Sequence, residues 1–121
     1  MSASPQILVV EDSRIHARII QRCLGEHYDL RVETTTEDAV PRLVGGNFAL
    51  LIVDWGLPGA SGLSLARTLR RDPDFQDLPI LMQTAKDRAE HVAEALEVGV
   101  DDYIVKPIDC ESLNEKVRLL L

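Results

Sequence analysis

Short apolar runs alternate along this chain with longer segments whose apolar residues recur three and four positions apart. Ile7, Leu8, Val9 and Val10 make a compact run that predicts a buried strand. Residues 12–24 come next, with Ile15, Ile19, Ile20, Cys23 and Leu24 at helical spacing. Residues 28–33 read as a second, weaker strand and residues 36–44 as a short helix. The run from Ala49 to Val53 is the strongest strand signal, and Asp54 comes directly after it. After the turn residues Gly56, Leu57, Pro58 and Gly59, Ser61 is placed to cap a helix carrying Leu63, Leu65, Ala66 and Leu69. Residues 79–83 predict a fourth strand and residues 88–98 a fourth helix stopped by Gly99. Residues 103–105 predict a fifth strand, and Asp109 can cap a last helix towards Leu121.

Five such units in alternation imply an α/β fold, a parallel sheet covered by helices on both faces. All strands except the second are almost continuously apolar, as strands buried on both faces must be. Pro41 sits badly in the second helix: it lacks an N–H and its ring crowds the preceding turn, so that helix is expected to be short, kinked or late-starting.

At 121 residues the chain suits one domain, residues 1–121, with one core. Hydrophobic residues make up 45% and charged residues 27%, a globular balance, and no apolar run approaches the roughly 20 residues of a membrane helix. The start, MSASPQ, lacks the basic-then-apolar order of a signal peptide, so a cytoplasmic protein without membrane contact is expected. A net charge of -7 argues against direct binding to nucleic acid, whose phosphates would repel the domain. Cys23 and Cys110 lie far apart in sequence and form no metal or redox motif, so both are expected to be thiols.

In an open parallel sheet, ligands bind beyond the carboxyl ends of the strands. The residues just past each strand are therefore the informative ones. Glu11 and Asp12 stand after the first strand, Asp54 after the third, Thr84 after the fourth and Lys106 after the fifth. Three carboxylates at one sheet edge repel one another unless positive charge sits among them. A hard divalent cation such as Mg2+, bound by a few carboxylate oxygens, supplies it, and Lys106 adds a fixed ammonium. Such a site suits phosphoryl transfer, which needs positioning and charge stabilisation above all. A carboxylate there can attack phosphorus and form an acyl phosphate. Singly, each residue has an ordinary reading: Glu11 and Asp12 as caps of the first helix, Asp54 as a turn former, Thr84 as structural, Lys106 as a solvated lysine. Their common position at the ends of four strands favours the joint reading. His16, His27 and His91 have no ligating neighbour at suitable spacing; His16 and His91 are expected on exposed helix faces and His27 in a turn.

Four segments carry a family resemblance: residues 7–13 (ILVVEDS), residues 51–59 (LIVDWGLPG) with Gly62 after them, residues 79–85 (PILMQTA) and residues 99–107 (GVDDYIVKP). In this order and spacing the chain resembles a response-regulator receiver domain along its whole length. The resemblance implies a flavodoxin-like three-layer fold with strand order 2-1-3-4-5 and five helices. It implies that Asp54 is the phosphoacceptor, that Glu11, Asp12, Asp54 and the Gly56 backbone carbonyl hold Mg2+, and that Lys106, cis-bonded to Pro107, pairs with phosphoryl oxygens. Thr84 and Tyr103 then correspond to switch residues: the hydroxyl moves to the phosphoryl group and the ring turns inward behind it. The implied donor is a histidine kinase or histidine phosphotransfer protein. The implied target is a downstream effector protein or output domain, docked on the fourth helix, fifth strand and fifth helix, a surface that also offers a route to a homodimer. Such a module catalyses only its own phosphoryl transfer and dephosphorylation and is not a metabolic enzyme. The alternative is a receiver-like interaction module that is never phosphorylated. A phosphatase of the haloacid dehalogenase kind would need an Asp where Gly56 stands, and a nucleotide or flavin binder a glycine- or hydroxyl-rich loop where Glu11 and Asp12 stand. Trp55, large and next to Asp54, is expected to shield the site.

Overall fold

A computed structural model describes residues 4–121, so the first three residues of the MSASPQ start lie outside the described part. The elements are β1 (Gln6–Val10), α1 (Arg14–Leu24), β2 (Asp29–Glu33), α2 (Thr36–Gly45), β3 (Leu50–Asp54), α3 (Gly62–Arg71), β4 (Ile80–Thr84), α4 (Ala89–Val98), β5 (Asp102–Val105) and α5 (Cys110–Leu120). The strands form one parallel sheet in the order β2-β1-β3-β4-β5. A 3₁₀ turn over Pro73–Phe75, which the periodicity does not announce, joins α3 to β4.

Strand side chains alternate between sheet faces, and the core divides accordingly. Leu8, Val10, Leu51, Val53, Ile80, Met82 and Tyr103 face α2, α3 and α4. Ile7, Val9, Leu50, Ile52, Leu81 and Ile104 face α1 and α5, where Ile20, Cys23, Leu24, Leu113 and Val117 meet them. The central strands β3 and β4 are buried at every residue, while β2 and β5 form the less buried edges.

Local chemistry sets the helix ends. Ser13, Thr35, Ser61 and Asp109 each cap a helix by accepting an amide hydrogen bond from three residues on. Gly99 ends α4 at φ 114°, a left-handed conformation that a glycine adopts without strain. Arg70 then ties this corner together. Its guanidinium donates to the carbonyls of Gly99 (2.8 Å) and Phe75 (2.9 Å) and to Asp101 Oδ2 (2.8 Å), which also accepts from the Ile80 amide (2.8 Å). Pro41 lies inside α2, which is short at 10 residues but starts where the pattern places it. Pro41 and Glu37 are both exposed, so the Glu37 carbonyl that loses its partner can turn to water. Among the described residues no helix is long and apolar enough to cross a membrane.

The expectation of two free thiols is corrected: Cys23 and Cys110 are joined by a disulfide, with Cα atoms 5.1 Å apart. Separation in sequence conceals proximity in space, because α1 and α5 lie side by side under the same sheet face. Asn114 Nδ2 braces the link, donating to the carbonyls of Cys23 (3.1 Å) and Cys110 (2.9 Å). The bridge spans 87 positions of chain, and closing so long a loop in the unfolded state should stabilise the fold by about 2–4 kcal/mol. Urea unfolding with and without a strong reductant measures it: reduction should lower the midpoint of the wild type and leave that of Cys23→Ser unmoved. Equal midpoints for the wild type would show that the bridge contributes nothing.

Candidate functional site

Glu11, one residue beyond β1, and Asp54, the last residue of β3, lie on neighbouring strands. Lys106, one residue beyond β5, reaches across β4 to both. Its Nζ donates to Glu11 Oε1 at 2.6 Å and to Asp54 Oδ2 at 2.8 Å. Ligand oxygens of Glu11, Asp12 and Asp54 all lie within 4.8 Å of one another. The Glu11 side chain is fully buried, those of Asp54 and Lys106 nearly so, and Asp12 is exposed.

Backbone and side-chain donors hold the carboxylates in place. The Gly56 amide donates to Asp54 Oδ1 (3.2 Å), the Ser13 amide to Glu11 Oε2 (3.3 Å) and Gln83 Nε2 to Glu11 Oε1 (3.4 Å). Gln83 is wholly buried and stands opposite Asp54 in the β3–β4 register; its Oε1 has no partner among the described residues. Ser13, not Glu11 or Asp12, caps α1, so the ordinary reading of the acidic pair as caps does not hold. Gly62 lets α3 start against the acidic residue: a Cβ there would stand 2.0 Å from the Asp54 carbonyl oxygen.

Charge and burial act together on this cluster. Burial raises the pKa of Glu11, with the Lys106 hydrogen bond opposing it and the nearby Asp54 charge reinforcing it. Burial alone would lower the pKa of Lys106, but its hydrogen bonds to Asp54 and Glu11 outweigh that and hold it above the ordinary 10.5. Lys106 is therefore a fixed cation among three carboxylates, and one positive charge does not balance them. An all-oxygen donor set of this kind fits a hard divalent cation.

The structure brings Glu11, Asp12, Asp54 and Lys106 together, with the Gly56 amide beside them. It does not bond Thr84 to them: the Thr84 hydroxyl oxygen accepts from the Lys86 amide at 3.3 Å. Tyr103 already points inward, buried in the core, with its hydroxyl donating to the Lys86 carbonyl at 2.7 Å. Its pKa is raised by burial and then by the charges of Asp87 and Asp54. The Lys106–Pro107 bond is cis. The Trp55 ring is half-buried against the core and meets the His91 ring edge-on at 5.7 Å, and Lys86 Nζ lies 5.3 Å from its centre.

Two histidines expected on exposed faces are only partly exposed. His91 is half-buried, and its Nδ1 has no hydrogen-bond partner among the described residues. His16, on the first turn of α1, places Nδ1 3.0 Å from Lys106 Nζ and 3.5 Å from Glu11 Oε1. Its signal in the sequence is slight: it stands five residues after Glu11, on the helix that starts at the acidic pair.

Comparisons with known proteins agree on one family. A family model described as the response regulator receiver domain matches residues 7–118. The chemotaxis protein CheY of Pseudomonas aeruginosa is 38% identical over 118 residues, covering 93% of each chain. The crystal structure of a protein described as a response regulator, from Chloroflexus aurantiacus, superposes with a TM-score of 0.93 at 29% identity, covering 98% of each chain. The receiver domain of a signal transduction histidine kinase from Syntrophus aciditrophicus superposes at 0.89 with 32% identity, covering 98% of this chain and 90% of that one.

The geometry makes Lys106 a stability residue as well as a site residue. Lys106→Met leaves Glu11 and Asp54 buried without their counter-charge and should cost about 3 kcal/mol by urea unfolding in a chelator. Added Mg2+ should recover part of that loss. The charge contribution of Lys106 is complete below 10.5 and is lost as pH rises through the raised value of the folded protein. The gap between wild type and variant should therefore narrow in strong alkali; a constant gap would assign the effect to packing of the lysine stem.

Proposed function

The chain belongs to the response-regulator receiver family, and from that premise we propose that residues 1–121 form one receiver domain whose Asp54 accepts a phosphoryl group. The observation that carries this reading is the placement of Asp54. Its side chain is nearly buried yet reachable, with one oxygen on the Lys106 ammonium and the other on the Gly56 amide, inside the acidic cluster of Glu11 and Asp12. These two hydrogen bonds orient the carboxylate, and Lys106 is placed to meet charge on an incoming phosphoryl group.

The donor we infer is a phosphohistidine on a histidine kinase or histidine phosphotransfer protein. A carboxylate oxygen of Asp54 forms the new bond to phosphorus while the nitrogen–phosphorus bond of the donor breaks, its electron pair staying on the imidazole. Glu11, Asp12, Asp54 and the Gly56 carbonyl would hold Mg2+, which when bound supplies the positive charge that Lys106 alone does not. Thr84 supplies a hydroxyl to the phosphorylated state, and Tyr103, its ring already inward, is tied to the same loop through the Lys86 carbonyl. The module catalyses only its own phosphoryl transfer and loss.

The output in this reading is a docking surface on α4, β5 and α5, where Leu96 and Val105 leave apolar side chains exposed. Its partner is an effector protein, an output domain or a second copy of the chain, and not nucleic acid or membrane. A cytoplasmic setting fits the family.

Intact-protein mass after exposure to acetyl phosphate tests the assignment. One added phosphoryl group should appear in the wild type with Mg2+, and none in Asp54→Asn or in a chelator. An adduct that survives Asp54→Asn would move the acceptor elsewhere. No adduct, and no beryllofluoride binding at Asp54, would leave an interaction module that is never phosphorylated.

A further inference from the structure

The Lys106 ammonium has three N–H groups, and two go to Glu11 and Asp54. The third meets His16 Nδ1 at 3.0 Å. A lysine ammonium only donates, so this nitrogen accepts, and the imidazole proton sits on Nε2. The contact from His16 to Glu11 at 3.5 Å is then not an ion pair. His16 is held there by the start of α1: its amide donates to the Ser13 hydroxyl at 3.3 Å, which fixes the first turn directly after the acidic pair.

We propose that His16 is a positioning residue for Lys106: a neutral third acceptor that keeps the ammonium aimed at Asp54 without neutralising it. The inference rests on the reading of Asp54 as phosphoacceptor. A carboxylate in this place would consume the lysine charge and add a fourth anion to a site that already has too many. An aliphatic residue would leave one N–H of a nearly buried ammonium with no side-chain acceptor. Glu11 and Asp54 cannot do this task alone, because their oxygens are the ones that a cation and a phosphoryl group would engage. His16 stands outside that set on the half-exposed rim, with its side chain 38% accessible, and offers Lys106 an acceptor that the proposed cation and phosphoryl group do not claim.

The test compares wild type, His16→Leu and His16→Asn for the rate of phosphoryl uptake from acetyl phosphate at saturating Mg2+. His16→Leu should slow uptake about ten-fold, the effect of one lost hydrogen bond to a charged group. His16→Asn should restore most of it, since Asn Oδ1 is bonded to Cγ as Nδ1 is and accepts in nearly the same place. Asn is the poorer helix former, so a role confined to α1 stability would rank the variants the other way. Nitrogen-15 spectra of the imidazole should show the Nε2–H form in the wild type, and a Nδ1 resonance that moves in Lys106→Met. Equal rates in wild type and His16→Leu, or no rescue by Asn, would overturn the proposal while leaving Asp54 as acceptor. A wild type that neither takes up a phosphoryl group nor binds beryllofluoride at Asp54 would remove both readings together.

Discussion

The Lys106 ammonium holds together what the rest of the site pushes apart. Glu11 and Asp54 are carboxylates on adjacent strands, both removed from water, and without the lysine their mutual repulsion would open the sheet edge or protonate one of them. The lysine comes from β5, two strands away from β3, so the interaction also fastens the edge of the sheet to its centre. This arrangement is stable but incompletely neutralised. A residual negative charge at a sheet edge is what a hard cation or a cation-bridged phosphoryl group can settle on.

Sheet parity explains how so few residues keep two tasks apart. Counting by twos from the α1/α5 face of the core, Ile7 and Val9 lead to Glu11, Ile52 to Asp54, Leu81 to Gln83 and Ile104 to Lys106. The acidic cluster and its lysine thus share one side of the sheet edge, the side that also carries His16. Ile80 and Met82 lead instead to Thr84, and Tyr103 lies with them on the α3/α4 face. Charge is managed on one face, and the two residues read as a switch lie on the other, with only the thickness of a strand between them.

The same parity marks what can be read from the sequence. Strand ends are legible because an apolar run announces a strand and the residue after it is then at the edge; Glu11, Asp54, Thr84 and Lys106 emerge in that way. The caps at Ser61 and Asp109 and the stop at Gly99 are legible because their chemistry is local. Relations between helices are not. Nothing in the periodicity sets α1 against α5, so the Cys23–Cys110 bridge stays hidden, and nothing aims His16 across α1 at a lysine 90 residues away. Arg70 escapes notice for the same reason: its partners lie on a turn, a helix end and a strand start that meet only in three dimensions.

One residue links the two switch positions in a way that neither motif nor parity announces. The Lys86 amide donates to the Thr84 hydroxyl oxygen, and the Lys86 carbonyl accepts from the Tyr103 hydroxyl. Both residues read as a switch are therefore bonded to the backbone of a third. In the proposed cycle the Thr84 hydroxyl turns to a phosphoryl group, and the Lys86 amide loses its acceptor. The loop between β4 and α4 must then satisfy that amide otherwise, and the carbonyl that anchors Tyr103 belongs to the same residue. Coupling here needs no long chain of contacts. In that cycle a loop of a few residues, bonded to Thr84 through the Lys86 amide and to Tyr103 through the Lys86 carbonyl, would carry a change from the acidic edge towards α4 and β5.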